Sequence, residues 1–187
     1  MAGTQPLVWI DCEMTGLDPE KEEIIEIFCI ITTGTLEVVD EQGWGTVVHQ
    51  SKDRMDMMDD WCTKTHAGSG LTASVIASTV TPQQAADELL AYIKKYVPSR
   101  KAALLAGNSV HADKAFLQKE PYRKVVDHLH HRILDVSTIK EAVRRWCPRD
   151  VNRNAPQKKL LHQAKADILE SIEEARYYKQ VIFEKVG

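Results

Sequence analysis

Residues 9–18 read WIDCEMTGLD. The stretch continues an apolar run, LVWI at 7–10, and then sets Asp11 and Glu13 two positions apart. In an extended strand, residues i and i+2 leave the same face, so both carboxylates project together. Like charges at that spacing repel, and more strongly away from water. Taken alone, the pair fits an exposed edge strand with its acids in solvent. Against that, LVWI is apolar at every position, as in a strand covered on both faces. The acids also come at its C-terminal end, before the turn TGLD, and ligands of open α/β sheets gather outside the carboxyl ends of strands. A divalent cation would turn repulsion into attraction, and an oxygen-only donor set suits Mg2+ or Mn2+.

Further strand signals follow in EIIEIFCIITT (23–33), in TLEVVDE (35–41) after Gly34, which reads as a hairpin, and in GTVVHQ (45–50). Helical patterns then take over. MDMMDDWCTKTH (55–66) has Met and Trp at helical spacing. TPQQAADELLAYIKKYV (81–97) carries a full start signal, with Thr81 as N-cap, Pro82 at the first helical position and Gln84 closing a capping box. KAALLAG (101–107) and HRILDV (131–136) read as strands, each followed by a helix; Ser137 is a candidate cap for the second. VNRNAPQKK (151–159) reads as a loop. A long amphipathic helix is expected from about Leu161 to Phe183. Hairpin-connected strands followed by strands alternating with helices give an α/β fold, a mixed sheet flanked by helices. With 187 residues and 43% hydrophobic content, one domain over 1–187 is expected.

Two more acids stand where a metal site needs them. Asp113, in GNSVHADKAFL (107–117), follows a strand and a Gly-Asn turn; by itself it fits a helix cap. Asp167, in HQAKADILESI (162–172), stands among Ala164, Ala166 and Ile168 rather than among salt-bridge partners, though a solvated helix acid is the plain alternative. His162 precedes it by five residues, an offset of about 140° on an ideal helix. The imidazole is therefore expected at or before the helix start.

The ordered set is D-x-E on a first strand, N-x-x-x-x-D after a middle strand, and H-x-x-x-x-D at a last helix. It resembles the DEDD superfamily of 3′→5′ exonucleases, in its histidine branch. WIDCEMTGLD, DWCTKTH with SGL, AGNSVHADKAFL, LHHRILDVSTIKE and HQAKADILESI resemble the oligoribonuclease family in particular. The resemblance implies an RNase H-like fold and a homodimer that degrades very short RNA, chiefly dinucleotides. It implies that Asp11, Glu13, Asp113 and Asp167 hold two divalent ions, Mg2+ or Mn2+, with His162 as general base. It implies that Leu17 wedges between two bases and Trp61 stacks on one, while His66, Ser109, Arg132 and Ser137 cap the 5′ phosphate. For Leu17 and Trp61, ordinary core packing is the alternative; for Ser137, a helix cap; for Arg132, an edge-strand cation. Two departures stand out. His131 occupies the place of a family tyrosine that reaches the partner's active site, and Lys165 and Ala166 replace the usual Leu-Asp of HRALDD.

Composition narrows the field. A net charge of −3 and a pI near 6.2 lack the basic stripe of a long-duplex binder, so a nucleic-acid substrate would be short. The four cysteines, Cys12, Cys29, Cys62 and Cys147, form no C-x-x-C pair and read as reduced thiols of an intracellular protein; the family resemblance implies a cytoplasmic or mitochondrial setting. No apolar run is long enough for a membrane span, and no leader is expected. His128, His130 and His131 raise zinc as a rival, without cysteine partners at zinc spacing. A DNA exonuclease of the same superfamily, a non-catalytic RNA-binding module and a monoester phosphatase are the other readings. The full acidic set speaks against the module, and Leu17 and Trp61 would be unexplained in the phosphatase.

Overall fold

The computed structural model describes residues 5–156 and 164–184. Five strands form one mixed sheet: β1 (Leu7–Met14), β2 (Ile24–Thr32), β3 (Trp44–Val47), β4 (Leu104–Gly107) and β5 (Ile133–Asp135), in the spatial order β3-β2-β1-β4-β5. Strand β1 pairs antiparallel with β2 and parallel with β4, and β5 runs parallel to β4. The fold class expected from the sequence is the one observed.

Side-chain parity on β1 decides where the site lies. Val8, Ile10 and Cys12 turn to one core, with Ala85, Ala86, Leu89 and Ile93 of helix α4 (Pro82–Tyr96). Leu7 and Trp9 turn to the other, with Ile168, Ile172, Ala175 and Tyr178 of helix α9 (Ala164–Tyr178). Both layers are apolar, and LVWI is buried at all four positions. Asp11 and Glu13 share the parity of Leu7 and Trp9 and therefore face α9, the helix that carries Asp167. Trp9 Nε1 donates to Thr32 Oγ1 at 2.9 Å, which satisfies the one polar atom of that buried ring.

Helices α1 (Lys52–Met55), α2 (Asp60–Gly68) and α3 (Leu71–Ala77) follow β3. After β4 come α5 (His111–Leu117) and α6 (Arg123–His128), and after β5 come α7 (Val136–Trp146) and α8 (Arg149–Arg153). Beyond α9 comes a π-helical turn, Lys179–Phe183.

Several local expectations are corrected. TLEVVDE makes one bridge, Thr32 to Val38, rather than a strand. The Thr33 hydroxyl accepts the N–H groups of Thr35 and Glu37, and Leu36 adopts φ 74, so the segment coils. The 55–66 helix is broken because the Asp59 carboxylate caps a new one, accepting the Cys62 N–H at 2.7 Å. Asp135 rather than Ser137 caps α7: it accepts the Ser137 N–H at 2.9 Å. The expected loop at 151–159 opens inside α8, with 157–159 outside the described residues. Asp113 is not the N-cap of α5; Val110 holds that position with no side-chain bond.

Candidate active site

Among the described residues, Asp11, Glu13 and Asp167 each offer a ligand oxygen within 4.8 Å of the others. Two come from the end of β1 and one from the first turn of α9. Asp113 approaches from α5 and is buried; its Oδ1 accepts the backbone N–H of Cys12 at 2.9 Å. It thus grips the residue between the two β1 acids. A further carboxylate, not anticipated, is Glu26, which stands opposite Glu13 across the antiparallel β1–β2 pair. An acid inside the apolar run IIEIF was the signal for it.

The electrostatics follow from this crowding. Burial pushes the Glu13 carboxyl up to about 7, and the charges of Glu26, Asp167 and Asp113 add to it. Burial likewise pushes Asp113 up to about 7, against the pull of the donated N–H groups. Glu26 is raised by burial too, while the Ala164 N–H draws it down. Burial, with Asp113, Asp11 and Glu13 around it, holds the Cys12 thiol far above its ordinary range, so it stays protonated and inert. Carboxylates that resist ionisation together, built only of oxygen donors, fit a hard divalent cation. His162 lies outside the described residues.

Beside the acids opens a cleft of about 390 Å³ lined by Glu13, Leu17, Trp61 and His66 among others. Leu17 is 85% and Trp61 61% exposed, so neither is the core residue that its type alone suggests. A Cβ at Gly16 would lie 2.8 Å from the Glu22 side chain, which would have to shift to admit it. His66 is buried, with Nε2 3.0 Å from the Met14 carbonyl; since a carbonyl only accepts, Nε2 carries a proton.

Ser109 and Ser137 meet at the C-terminal ends of β4 and β5. Ser109 adopts φ 56, and its N–H points at Asp135 Oδ1 (2.9 Å) and Ser137 Oγ (2.7 Å). The two hydroxyls are 2.9 Å apart. Sequence reasoning missed Asp135, although an acid between a strand and a helix, two residues before Ser137, is a capping signal. Arg132 and His131 are exposed on the turn into β5. His131 stacks on His130 at 4.2 Å, and its carbonyl accepts from Lys114 Nζ at 2.9 Å. His128 faces inward instead, bonded to the Val97 carbonyl at 2.8 Å, so the three histidines do not converge as a zinc site would require.

An exonuclease family model matches residues 8–175. A probable oligoribonuclease of Schizosaccharomyces pombe is 50% identical over 175 residues, 94% of this chain and 68% of that protein. The chain belongs to the oligoribonuclease family. A mitochondrial oligoribonuclease of Homo sapiens, another relative, is 46% identical over 181 residues, 97% of this chain and 75% of that one. The RNase H-like fold of the family is seen in S. pombe Pop2p in its Mg2+- and Mn2+-bound form, with TM-score 0.72 at 15% identity, over 96% of this chain and 85% of that one. The E. coli ExoI–ssDNA complex has TM-score 0.71 at 14% identity, over 98% of this chain and 43% of that one. No described helix is long and apolar enough to cross a membrane.

Proposed function

We propose that Asp11, Glu13, Asp113 and Asp167 hold two divalent cations, Mg2+ or Mn2+, and that the cleft beside them takes an RNA dinucleotide. The activity is that of a 3′→5′ exoribonuclease on short RNA, and a DNA exonuclease is not favoured. The observation that carries the metal assignment is the convergence of Asp11, Glu13 and Asp167 within 4.8 Å, from segments far apart in sequence. When bound, such cations polarise the phosphodiester and ease ionisation of the attacking water.

The chain's own groups do the rest. Leu17, projecting from the turn after β1, separates the two bases, and Trp61 stacks on one. His162 takes the proton of the water that attacks the scissile phosphorus, a task suited to an imidazole near neutral pH. The 3′ oxygen of the preceding nucleotide departs, and a 5′-mononucleotide is released. His66, Ser109, Arg132 and Ser137 cap the 5′ phosphate. A terminal phosphate carries more charge than an internal diester, and a cap there leaves no path for a longer strand.

The match over 8–175 supports reading 1–187 as a single exonuclease domain. A homodimer fits the family pattern, as does a mitochondrial or cytoplasmic setting; exposed His131 stands where the family's tyrosine reaches toward the partner's site. The decisive experiment incubates a 5′-phosphorylated dinucleotide and a heptamer side by side, with Mg2+ or with EDTA. Mononucleotides should come from the dinucleotide far faster, only with metal, and not from a His162→Ala protein. Equal rates on the two lengths would refute the cap.

A further inference from the structure

Glu174 lies on α9 seven residues beyond Asp167, with Ser171 and Tyr178 on the same face. Its side chain is 1% exposed and is surrounded by donors. Asn108 Nδ2 donates to one oxygen at 2.9 Å; the Tyr178 hydroxyl donates to the other at 3.1 Å, and Lys140 Nζ stands 3.3 Å from it. A buried carboxylate is costly, and replacement by an apolar group would serve packing as well or better. What this carboxylate does is fix a direction. It accepts and does not donate, so the amide of Asn108 must turn its nitrogen inward and its oxygen outward. Asn108 Oδ1 then receives the Ser137 hydroxyl at 2.5 Å. With its proton committed, Ser137 Oγ accepts the Ser109 N–H at 2.7 Å, and the Ser109 hydroxyl stands 2.9 Å from it. The Ser109 hydroxyl is the donor of this network left to turn outward to an anion, and the rest of the network fixes where it stands.

We propose that Glu174 is a positioning residue that sets the preference for a 5′ phosphate, acting through Asn108 on Ser137 and Ser109. This rests on the reading of those two serines as part of the phosphate cap. Because α9 also bears Asp167, one rigid helix fixes both the acid cluster and the anchor of the cap. In Glu174→Gln, a side chain of the same shape can donate as well as accept. Asn108 is then free to turn over, and the serine pair loses its single arrangement.

The test measures kcat and KM on 5′-phosphorylated and 5′-hydroxyl forms of one dinucleotide, for the wild type, Glu174→Gln, Ser137→Ala and the double variant. Glu174→Gln should raise KM for the phosphorylated form about tenfold, the scale of one well-made hydrogen bond, and affect the hydroxyl form much less. In the Ser137→Ala background it should add almost nothing to the loss of preference. Equal losses on both substrates, or a full additional loss in that background, would show a merely structural role and overturn the inference. If Ser137→Ala keeps the preference, the cap reading itself fails and takes the inference with it. If Ser137→Ala abolishes the preference while Glu174→Gln retains it, the cap stands and only the inference falls. Should Glu174→Gln not fold, Asn108→Ala breaks the same chain one link nearer the surface, with the same expected outcomes.

Discussion

The Asp113 carboxylate accepts the backbone N–H of Cys12 at 2.9 Å, across 101 positions of sequence. This bond pins α5 to the stretch of β1 that presents Asp11 and Glu13. Asp113 therefore has two separable duties, a hydrogen bond and a charge. Asn at 113 keeps an acceptor and removes a buried charge, so the metal-free protein should melt at the same temperature or slightly higher. Turnover should nonetheless fall by about 100-fold or more, as expected for loss of preorganised charge at a reacting centre. Ala at 113 should lose both stability and turnover. An Asp113→Asn enzyme with wild-type kcat would remove Asp113 from the cation site.

The raised carboxyls set how stability responds to pH. Glu13 and Asp113 are pushed up to about 7, whereas unfolded carboxylates titrate near 4. Between those values the folded chain binds more protons than the unfolded one, so this contribution to stability is lost as pH rises. A divalent cation binds the ionised form, and its stabilising effect should grow over the same window. Melting curves in EDTA and in Mn2+ from pH 4.5 to 8 should diverge as pH increases. A metal-induced shift that shrinks toward pH 8 would contradict the assignment.

Glu26 faces Glu13 across the sheet, and like charges opposite one another disfavour each other's ionisation. Glu26→Gln removes that opposition. Glu13 should then ionise at lower pH, and the acid limb of the kcat/KM profile should move down with it. Mn2+ titrated by calorimetry near pH 6 should bind more tightly in the variant. Weaker binding would instead mark Glu26 as a ligand in its own right.

The apolar run at 7–10 and the acids that follow it made the central strand and its chemistry readable, because parity in a strand is strict. Thr81, Pro82 and Gln84 were equally explicit, and the capping box they form is present in α4. What escaped were contacts made at a distance. Glu26 looked like one acid in a strand until the register set it against Glu13. Asp135 hid behind Ser137, since both are capping residues and only geometry tells which one caps. Asn108 and Glu174 are 66 positions apart, and no local pattern announces their bond. The segment 35–41 failed for a different reason: its β-branched composition was outweighed by the hydroxyl of Thr33, which turns the chain first.

Trp61 is exposed on α2 at the mouth of the cleft, with Leu17 across from it. Stacking on an aromatic ring is worth ~1–3 kcal/mol per base and tolerates any base. Trp61→Ala should therefore raise KM several-fold to about 100-fold on dinucleotides of every composition, while Trp61→Phe retains most of the affinity. Steady-state kinetics on a panel of purine and pyrimidine dinucleotides would test this. A loss confined to one base would mean that Trp61 reads sequence rather than providing a platform.

The turn that carries Leu17 is held from outside by Arg54. Its guanidinium donates to Thr15 Oγ1 at 2.6 Å and to the Lys21 carbonyl at 3.2 Å, and it pairs with Glu22. Thr15 Oγ1 in turn donates to Glu22 and accepts the Glu23 N–H at 2.9 Å. Both members of the ion pair are largely shielded, with 18% and 22% side-chain exposure, so it is worth more than a surface pair. Arg54→Met keeps much of the stem's packing and removes the bonds. It should cost about 1–3 kcal/mol and lower the melting temperature by a few degrees for a chain of this length. Leu17 rides on that turn and the bonds of Arg54 go to Thr15, Lys21 and Glu22, so the kinetic cost should appear in KM for dinucleotides, with kcat nearly unchanged. A variant whose kcat falls while KM holds would place the function of Arg54 in the chemistry instead of in the wedge.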